Sequence, residues 1–306
     1  MVFVTGGTGY VGKYVLEKLY VKNLSLGMSK TQGVFKHSKR DKIKVLVRKE
    51  SDMLELKKKY PQVIFFVGDL NERDKLVRFL KGEKIVLHLA AKLHGSYNEM
   101  YKSNIEGFSN LIFACSKNKI EKIVFLSSMS VKRPFLDDYA KTKIEGEKML
   151  FESGIKNVVI RPTMIFGGLH SSFAEIVNKL TSIPFIIPVF GDGKYQLAPV
   201  HVDDVSEAVA IATDLKAKQE GMYELGGELI SFNEFARILR KKYKMKRIIL
   251  HLPLFFVRFV ARILEFIKLP IITTGFVKNI TISTTVNITR FIKDFKFKPR
   301  GFKGGF

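Results

Sequence analysis

A tyrosine and a lysine stand four residues apart near the middle of the chain, at Tyr139 and Lys143. In a helix, this spacing places a phenol and an ammonium on the same face. The positive charge is expected to favour the phenolate and so to lower the pKa of Tyr139. A tyrosine tuned in this way can pass a proton to or from an alcohol or carbonyl oxygen. Ser128, which follows a predicted strand, could donate a hydrogen bond to the same oxygen. This spacing is common in helices, so the surrounding sequence must show whether Tyr139 and Lys143 form a catalytic pair.

The first residues of the chain supply that context, because a glycine-rich turn follows the predicted strand Val2–Val4 and precedes a predicted helix. The residues of the turn are Gly6, Gly7, Thr8, Gly9, Tyr10, Val11 and Gly12. Their spacing matches a dinucleotide-binding turn, in which glycines permit a tight bend, a close approach to pyrophosphate and close helix packing. The helix N-terminus would direct free N–H groups at the phosphates. The alternative is an ordinary glycine-rich turn between a strand and a helix.

The residues after the second predicted strand, Lys44–Val47, bear on the choice between NAD and NADP. An enzyme that uses NAD usually has an acidic residue there for the ribose hydroxyl, whereas an arginine accommodates the 2′-phosphate of NADP. This chain has Arg48 and Lys49 at that position. We therefore favour NADP over NAD; the alternative is that Arg48 only faces solvent.

Predicted strands and helices alternate along residues 1–165 at intervals of roughly thirty residues, which indicates an α/β fold with a Rossmann-type doubly wound parallel sheet. The strands are continuous apolar runs, as expected when both faces of a sheet are covered. Binding sites in such sheets lie at the carboxyl ends of the strands. Residues 166–306 are predicted to form a smaller C-terminal α/β substrate lobe, interleaved with the first domain as one functional unit.

The composition limits the partners and the compartment. The 306 residues have a formal net charge of +23 and a single cysteine. One cysteine excludes an intramolecular disulfide, which favours a reducing compartment and a cytoplasmic location. The positive charge would suit nucleic acid or an anionic membrane, but the lysines are spread along the chain and no basic-aromatic RNA motif is present. We predict no nucleic-acid partner and no metal site.

Residues 22–42 are interpreted as a basic surface loop, either solvated or a lid that touches phosphates.

The segment Leu252–Leu269 is strongly apolar but is interrupted by Arg258, Arg262, Glu265 and Lys268. These charges recur every three to four residues, which predicts an amphipathic helix and not a membrane span. It would pack on the small lobe; the second interpretation is peripheral membrane contact through its basic face. The tail after it would either fray or dock through Phe297 and Phe302.

Several motifs together resemble the extended short-chain dehydrogenase/reductases of the NAD(P)-dependent epimerase/dehydratase type, over nearly the whole chain. They are Thr5–Gly12, Gly68–Leu70, His88–Ala91, Asn104 with Gly107 and Asn110, Ser127–Ser128, Tyr139 with Lys143, Arg161–Pro162, and His201–Val205. The stretches Tyr223–Gly227 and Leu252–Leu269 also resemble the branch of the nucleotide-binding accessory subunit of respiratory complex I, whose members need not be catalytic.

The resemblance implies a role for each matching residue. Ser128, Tyr139 and Lys143 would be the catalytic set, and Asn104 would support the catalytic helix and a proton-relay water. Besides the glycine turn and Arg48, the implied cofactor contacts are Asp69 and Leu70 at the adenine, Leu89, Ala90 and Ala91, Pro162, and Lys143 at the nicotinamide ribose. Substrate contacts are expected from His94, Met164 and Leu197. The resemblance also implies a homodimer formed through the helices Met100–Lys117 and Tyr139–Phe151.

Two departures from the resemblance bear on the substrate. Nucleotide-sugar epimerases have an asparagine where this chain has Met164, and they usually have an arginine within the stretch that here reads Gln196–Pro199. Both would contact the substrate diphosphate, so a nucleotide sugar is disfavoured. Phe108 stands where the family often has threonine, and the sequence gives no reason for this change. We predict an NAD(P)-dependent oxidoreductase or epimerase for a sugar-like or apolar alcohol or ketone; the alternative is a non-catalytic NADPH-binding subunit of a membrane-associated complex.

Overall fold

The computed structural model describes residues 2–27, 43–168, 173, 177–178, 185–267, 269 and 273–303. The predicted basic loop 22–42 falls mostly outside these residues. Its first part is helical and not a loop, since the first helix continues to Gly27.

The bounds of the helices and strands in the first half follow the predicted alternation. They are β1 Val2–Thr5, α1 Tyr10–Gly27, β2 Ile43–Val47, α2 Glu50–Lys59, β3 Ile64–Val67, α3 Arg73–Phe79, β4 Ile85–His88, α4 Tyr97–Tyr101, a π-helical turn Lys102–Glu106, α5 Gly107–Lys117, β5 Lys122–Leu126, a 3₁₀ turn Met129–Lys132, α6 Asp138–Glu152, β6 Lys156–Pro162 and β7 Ile165–Phe166.

The elements of the second half are shorter. They are β8 Ile186–Phe190, β9 Gln196–Leu197, β10 Val200–His201, α7 Val202–Ala212, β11 Gly221–Leu225, β12 Ile230–Ser231, α8 Phe232–Lys242, β13 Ile248–Leu252, α9 Leu254–Phe266, α10 Thr274–Ile280 and α11 Thr289–Phe295. Within the described ranges, no helix is both long enough and apolar enough to cross a membrane.

The main sheet in the described part of the chain has seven parallel strands in the order β11-β6-β5-β4-β1-β2-β3. The predicted Rossmann-type architecture is thus confirmed. The chain runs from β1 outward to β3 and then restarts at β4 on the other side of β1, which opens a crevice between β1 and β4. The strand β3 was predicted to be buried, but it forms the edge of the sheet, and Val67 is exposed.

Alternate residues of β1 explain how the sheet separates two layers of helices, because successive side chains of a strand point to opposite faces. Val4 belongs to the core that includes Val15 and Leu16 of α1, on which α7 packs. Phe3 belongs to the core on the other face, together with Phe108 and Leu111 of α5. The glycine turn after β1 is therefore held between two packed layers.

The second half of the chain returns repeatedly to the first core. Strand β11 completes the main sheet beside β6, and α7 and α11 also pack in the core that contains Val4. A separate apolar cluster, which includes Phe166, Phe232 and Phe235, forms the core of the smaller lobe. Residues after 165 therefore contribute both to the core of the main sheet and to the core of the smaller lobe.

The C-terminal tail docks on the protein. Phe302 is fully buried against Phe166 and Phe235, and Phe297 packs on Phe291 of α11. The backbone N–H and the guanidinium of Arg300 both donate hydrogen bonds to Asp204, at 2.8 and 3.0 Å. Of the two interpretations of the tail, the docked one is confirmed.

Candidate active site

A cavity of about 1280 Å³ opens at the carboxyl ends of the central strands. Its wall includes residues of the glycine turn after β1, of the segment after β4, and of the strand ends of β5 and β6. Ser128, Tyr139 and Lys143 line the same cavity as Gly6 and Gly9. The structure thus brings together the two motifs that stand far apart in the sequence.

Three glycines of the turn are each required for a different steric reason. Gly6 has a φ of +76°, in the left-handed region, and a Cβ there would overlap the backbone of Ala90. A Cβ on Gly7 would come within 2.8 Å of Val45 and 2.9 Å of Leu16, so this glycine permits close packing of α1 on the sheet. A Cβ on Gly12 would overlap the carbonyl oxygen of Gly6. The backbone of this turn therefore lies closer to its neighbours than any other residue would permit.

The turn and the start of α1 fit the diphosphate of a dinucleotide. Thr8, Gly9, Tyr10, Val11 and Gly12 line the cavity, whereas Gly7 faces the core. The first N–H groups of a helix have no intrahelical acceptor, and the helix dipole adds partial positive charge there. The first turn of α1 contains no acidic residue that would oppose an anion. The phenol of Tyr10 bonds the carbonyl oxygen of Gly167 and so ties the turn to the start of the smaller lobe.

At the far side of the turn, Arg48, Asp69 and Leu70 line the cavity. Arg48 is exposed at the rim, whereas Lys49 does not contribute to the wall. The carboxylate of Asp69 accepts hydrogen bonds from the backbone and side-chain nitrogens of Asn71, at 2.9 and 2.8 Å. These bonds fix the loop after β3 beside Arg48.

The segment after β4 forms the floor of the crevice. Leu89, Ala90 and Ala91 line the cavity. Behind them His88 is buried, with its Nδ1 2.7 Å from the hydroxyl oxygen of Thr5. Burial, and to a smaller extent the charge of Lys143, holds the pKa of His88 well below its usual value. The imidazole is therefore neutral and serves to join β1 and β4.

Phe108 now has an explanation that the sequence did not provide. Its ring stacks on His88 with centroids 4.4 Å apart and on Phe125 at 4.9 Å. The ammonium of Lys143 lies 4.5 Å from the centroid of the Phe125 ring. An aromatic column thus connects the β4 histidine with the buried lysine, and a smaller side chain at residue 108 would leave this column unsupported.

Two caps position the candidate catalytic side chains. The carboxylate of Asp137 accepts a hydrogen bond of 2.8 Å from the N–H of Ala140, which starts helix α6 just before Tyr139. The hydroxyl oxygen of Ser128 accepts a hydrogen bond of 3.1 Å from the N–H of Ser130, which caps the 3₁₀ turn. Because that oxygen accepts from the backbone, the hydroxyl hydrogen of Ser128 is available to a group in the cavity.

The environment of Tyr139 differs from the sequence prediction. Burial, followed by the negative charge of Asp137, raises the pKa of Tyr139, so the expected lowering by Lys143 is wrong for this geometry. The ammonium of Lys143 lies 5.8 Å from the centroid of the tyrosine ring and donates a hydrogen bond of 2.8 Å to the carbonyl oxygen of Leu126. Burial lowers the pKa of Lys143 to about 7, against an opposing effect of Glu147. Half of the lysine charge is therefore lost near neutral pH.

Asn104 lies outside the cavity wall but anchors two parts of it. It sits in the π-helical turn between α4 and α5 and is buried. Its amide oxygen accepts from the N–H of Lys92 at 2.7 Å, and its amide nitrogen donates to the carbonyl oxygen of Lys92 and to the hydroxyl of Thr142. Because Thr142 belongs to α6, this side chain connects the segment after β4 with the helix that contains Tyr139 and Lys143.

A second buried network holds the other side of α6. The carboxylate of Glu147 accepts hydrogen bonds from the hydroxyl of Ser127 and from the guanidinium of Arg161, the latter in part at 2.8 Å. Ser127 follows β5, and Arg161 precedes Pro162 at the end of β6, where Pro162 lines the cavity. Glu147 thus connects α6 with the ends of β5 and β6. These contacts explain the serine of the Ser-Ser motif and the arginine of the Arg-Pro motif.

The predicted substrate contacts His94, Met164 and Leu197 all line the cavity. Sequence reasoning missed a further wall from α10 and the segment after it. These residues are Phe276, Asn279, Ile280 and 282–285. No motif marks them, and their spacing is that of any short amphipathic helix, so only the folded chain reveals them. Within the described ranges, no group of three or more metal-ligating side chains is present.

Comparisons with known proteins agree with this architecture. Residues 2–226 match the model of the NAD-dependent epimerase/dehydratase family. The chain is 25% identical to the decarboxylating sterol-4-alpha-carboxylate 3-dehydrogenase of Dictyostelium discoideum, over 83% of this chain and 79% of that protein. It is 23% identical to a ketoreductase of Stigmatella aurantiaca that acts on a farnesylated dihydroquinoline oxide, over 82% of this chain and 75% of that protein.

A solved structure has the same fold. The dTDP-glucose 4,6-dehydratase of Streptomyces venezuelae, solved with NAD, has a TM-score of 0.73 and 17% identity, covering 100% of this chain and 94% of that chain. The family match spans the glycine turn, Ser128, Tyr139 and Lys143, which line one cavity. The chain belongs to the NAD-dependent epimerase/dehydratase family and is an NAD(P)-dependent enzyme of that family.

Proposed function

We propose that the protein is an NADP-preferring oxidoreductase that reduces an apolar ring ketone, or oxidises the matching alcohol. The observation that supports it most directly is that Ser128 and Tyr139 line the same cavity as the glycine turn. The nicotinamide cofactor supplies the hydride, as in other dehydrogenases of this kind. The side chains of the protein bind the substrate oxygen and supply its proton.

Tyr139 is the proposed acid. Since its pKa is raised, the phenol is protonated at neutral pH and holds a proton that it can donate to a carbonyl oxygen. Among the described residues, the phenol has no hydrogen-bond partner in the protein. Ser128 can donate its hydroxyl hydrogen to the same oxygen, because its own oxygen accepts from Ser130. Together they would polarise the carbonyl before the proton moves.

The apolar part of the wall supports the substrate class. Met164, Leu197, Phe276 and Ile280 line the cavity and belong to, or pack against, the core of the smaller lobe. Met164 replaces the amide that a nucleotide sugar would require. Two relatives act on a sterol and on a farnesylated dihydroquinoline, which are large and mostly apolar ring compounds. Apolar walls with a few convergent polar groups are the usual form of such pockets.

The preference for NADP rests on Arg48. It lines the rim of the cavity beside the loop of Asp69, and a guanidinium there can bind a 2′-phosphate with charge-assisted hydrogen bonds. The comparisons give no support to the non-catalytic alternative. Sugar-like substrates, the homodimer through the helices of residues 100–117 and 139–151, and a cytoplasmic location stay predictions.

The experiment is a turnover assay that follows NADPH consumption with steroid ketones and prenylated quinolones. With UDP-glucose, the assay follows the formation of NADPH from NADP⁺ and the formation of the epimer. Tyr139→Phe should lower kcat with the accepted ketone by roughly 10²- to 10⁴-fold, as expected for loss of an acid, while the Kd of NADPH stays the same. Tyr97→Phe, at an exposed tyrosine outside the cavity wall, is the control and should retain full activity. Faster turnover of UDP-glucose than of any ketone would overturn the substrate class, and an active Tyr139→Phe variant would overturn the role of the phenol.

A further inference from the structure

Helix α9 has three different faces. Its core face buries Val257 and Ala261. Its phenylalanines are exposed, with exposed fractions of 76% for Phe255, 63% for Phe259 and 87% for Phe266. At about 100° per residue, these three phenylalanines form one stripe along the helix, away from the buried face. The amphipathic prediction was therefore incomplete, because the largest apolar side chains face outward and not into the lobe.

An exposed apolar stripe of this size indicates a surface that binds another molecule. Each phenylalanine offers on the order of 150–250 Å² of apolar surface, and contiguous exposed patches above a few hundred Å² mark interaction sites. Phe256 and Ile263 widen the stripe and are also exposed. We call these five side chains the α9 aromatic face.

Cations border the α9 aromatic face. Arg258 and Arg262 are exposed, and the helical spacing places them beside Phe255 and Phe266. Neither has an ion-pair partner among the described residues. Over residues 237–267 there are nine basic residues and one acidic residue, Glu265. The basic ones are Arg237, Arg240, Lys241, Lys242, Lys244, Lys246, Arg247, Arg258 and Arg262.

The single acid does not offset this charge at the surface. The carboxylate of Glu265 accepts hydrogen bonds from the backbone N–H of Thr274 at 2.8 Å and from its hydroxyl at 3.1 Å. These bonds turn Glu265 toward the start of α10, away from the α9 aromatic face. An approaching surface therefore meets aromatic rings and arginines.

We propose that the α9 aromatic face docks on an anionic lipid bilayer, with the phenylalanines in the interface and the arginines at the headgroups. Aromatic and basic side chains on one amphipathic helix are the combination that such membranes attract. A second copy of the chain fits less well. A two-fold interface would bring the same arginine-bordered surface of both chains together, and the two chains, each with a net charge of +23, would repel one another.

The docked helix lies close to the substrate cavity. It packs on α10, and α10 contributes Phe276 and Ile280 to the apolar wall. An apolar substrate dissolved in the bilayer would thus reach the cavity from the side of α10. The docking itself does not depend on the identity of the substrate or on the proposed activity.

The test is flotation of the purified protein with two kinds of vesicles, phosphatidylcholine alone and phosphatidylcholine mixed with phosphatidylglycerol. The protein should bind the anionic vesicles at least tenfold more tightly, and added salt should weaken that binding because it screens the headgroup charge. The triple variant Phe255→Ser, Phe259→Ser, Phe266→Ser and the double variant Arg258→Gln, Arg262→Gln should each lose binding at least tenfold.

The matched control is the triple variant Leu54→Ser, Phe151→Ser, Leu229→Ser, which alters exposed apolar residues on other elements and should bind as the unaltered protein does. Circular dichroism and NADPH binding confirm that each variant is folded, since all the altered side chains are exposed. Equal binding to both kinds of vesicle, or undiminished binding of the phenylalanine variant, would overturn the proposal. So would a dimer without vesicles that the phenylalanine substitutions abolish, because the occupant would then be a second copy.

Discussion

The ammonium of Lys143 donates a hydrogen bond to the carbonyl oxygen of Leu126, the last residue of β5, at 2.8 Å. The side chain is almost completely buried, and its pKa falls to about 7 because burial disfavours the charged form. In the unfolded chain the same group has a pKa near 10.5. The folded protein therefore binds fewer protons than the unfolded chain between about pH 7 and 10.5, and its stability rises with pH in that window.

Replacement of this lysine should remove that pH dependence. Lys143→Met should raise the free energy of unfolding of the nucleotide-free protein more at pH 6 than at pH 9, by a difference on the order of 2 kcal/mol. Urea unfolding at both pH values measures it. Lys141→Met is the control, since Lys141 is exposed on the same helix and its pKa is raised by Asp138, so it keeps its charge throughout. An equal effect of Lys143→Met at both pH values would contradict the lowered pKa.

The preference for NADPH over NADH should depend on the guanidinium of Arg48. Arg48→Ala should raise the Kd of NADPH by roughly 10- to 100-fold, the value of one or two charge-assisted hydrogen bonds. The Kd of NADH should stay nearly constant, because NADH has no 2′-phosphate. Lys49→Ala serves as the control, since Lys49 is outside the cavity wall. Isothermal titration of all three proteins with both nucleotides gives the result, and tighter binding of NADH by the unaltered protein would rule out the NADP preference.

The third prediction concerns the steric limit at Gly12. An alanine Cβ there would overlap the carbonyl oxygen of Gly6, which is backbone and cannot move aside as a side chain does. Gly12→Ala should lower the free energy of unfolding by about 1–3 kcal/mol and weaken NADPH binding at least tenfold. Gly275→Ala has no atom within 4 Å of the added Cβ and should be neutral or slightly stabilising. Unchanged nucleotide affinity of Gly12→Ala would show that the turn does not hold the diphosphate.

The fourth prediction concerns the connection between Asn104 and Thr142. A double-mutant cycle with Asn104→Ala and Thr142→Val should give a coupling energy of roughly 0.5–1.5 kcal/mol in unfolding experiments. Each variant should also lower kcat, because the bond of 3.1 Å helps to hold the helix of Tyr139. Asn98→Ala, at an exposed asparagine on α4, should change neither quantity. Additive effects in the cycle would mean that the two side chains act independently.

Much of the site could be predicted because its signals are local. The glycine spacing after β1, the four-residue spacing of Tyr139 and Lys143, and the alternation of strands depend on short-range geometry. Parallel strands then bring their ends to one edge of the sheet, so residues distant in sequence meet in one cavity. His94, Met164 and Leu197, which the resemblance implied as substrate contacts, line this cavity, and their contact with substrate stays a prediction.

The sequence alone thus determined the fold class and the chemical groups in the crevice, whereas three features depended on tertiary structure. Burial reversed the expected pKa shift of Tyr139, the wall from α10 joined the cavity without a motif, and β11 entered the main sheet from the second half of the chain. The common reason is that the spacing of residues fixes which side chains share a face. The partner of each face, and the extent to which packing removes water from it, depend on segments that are distant in the sequence.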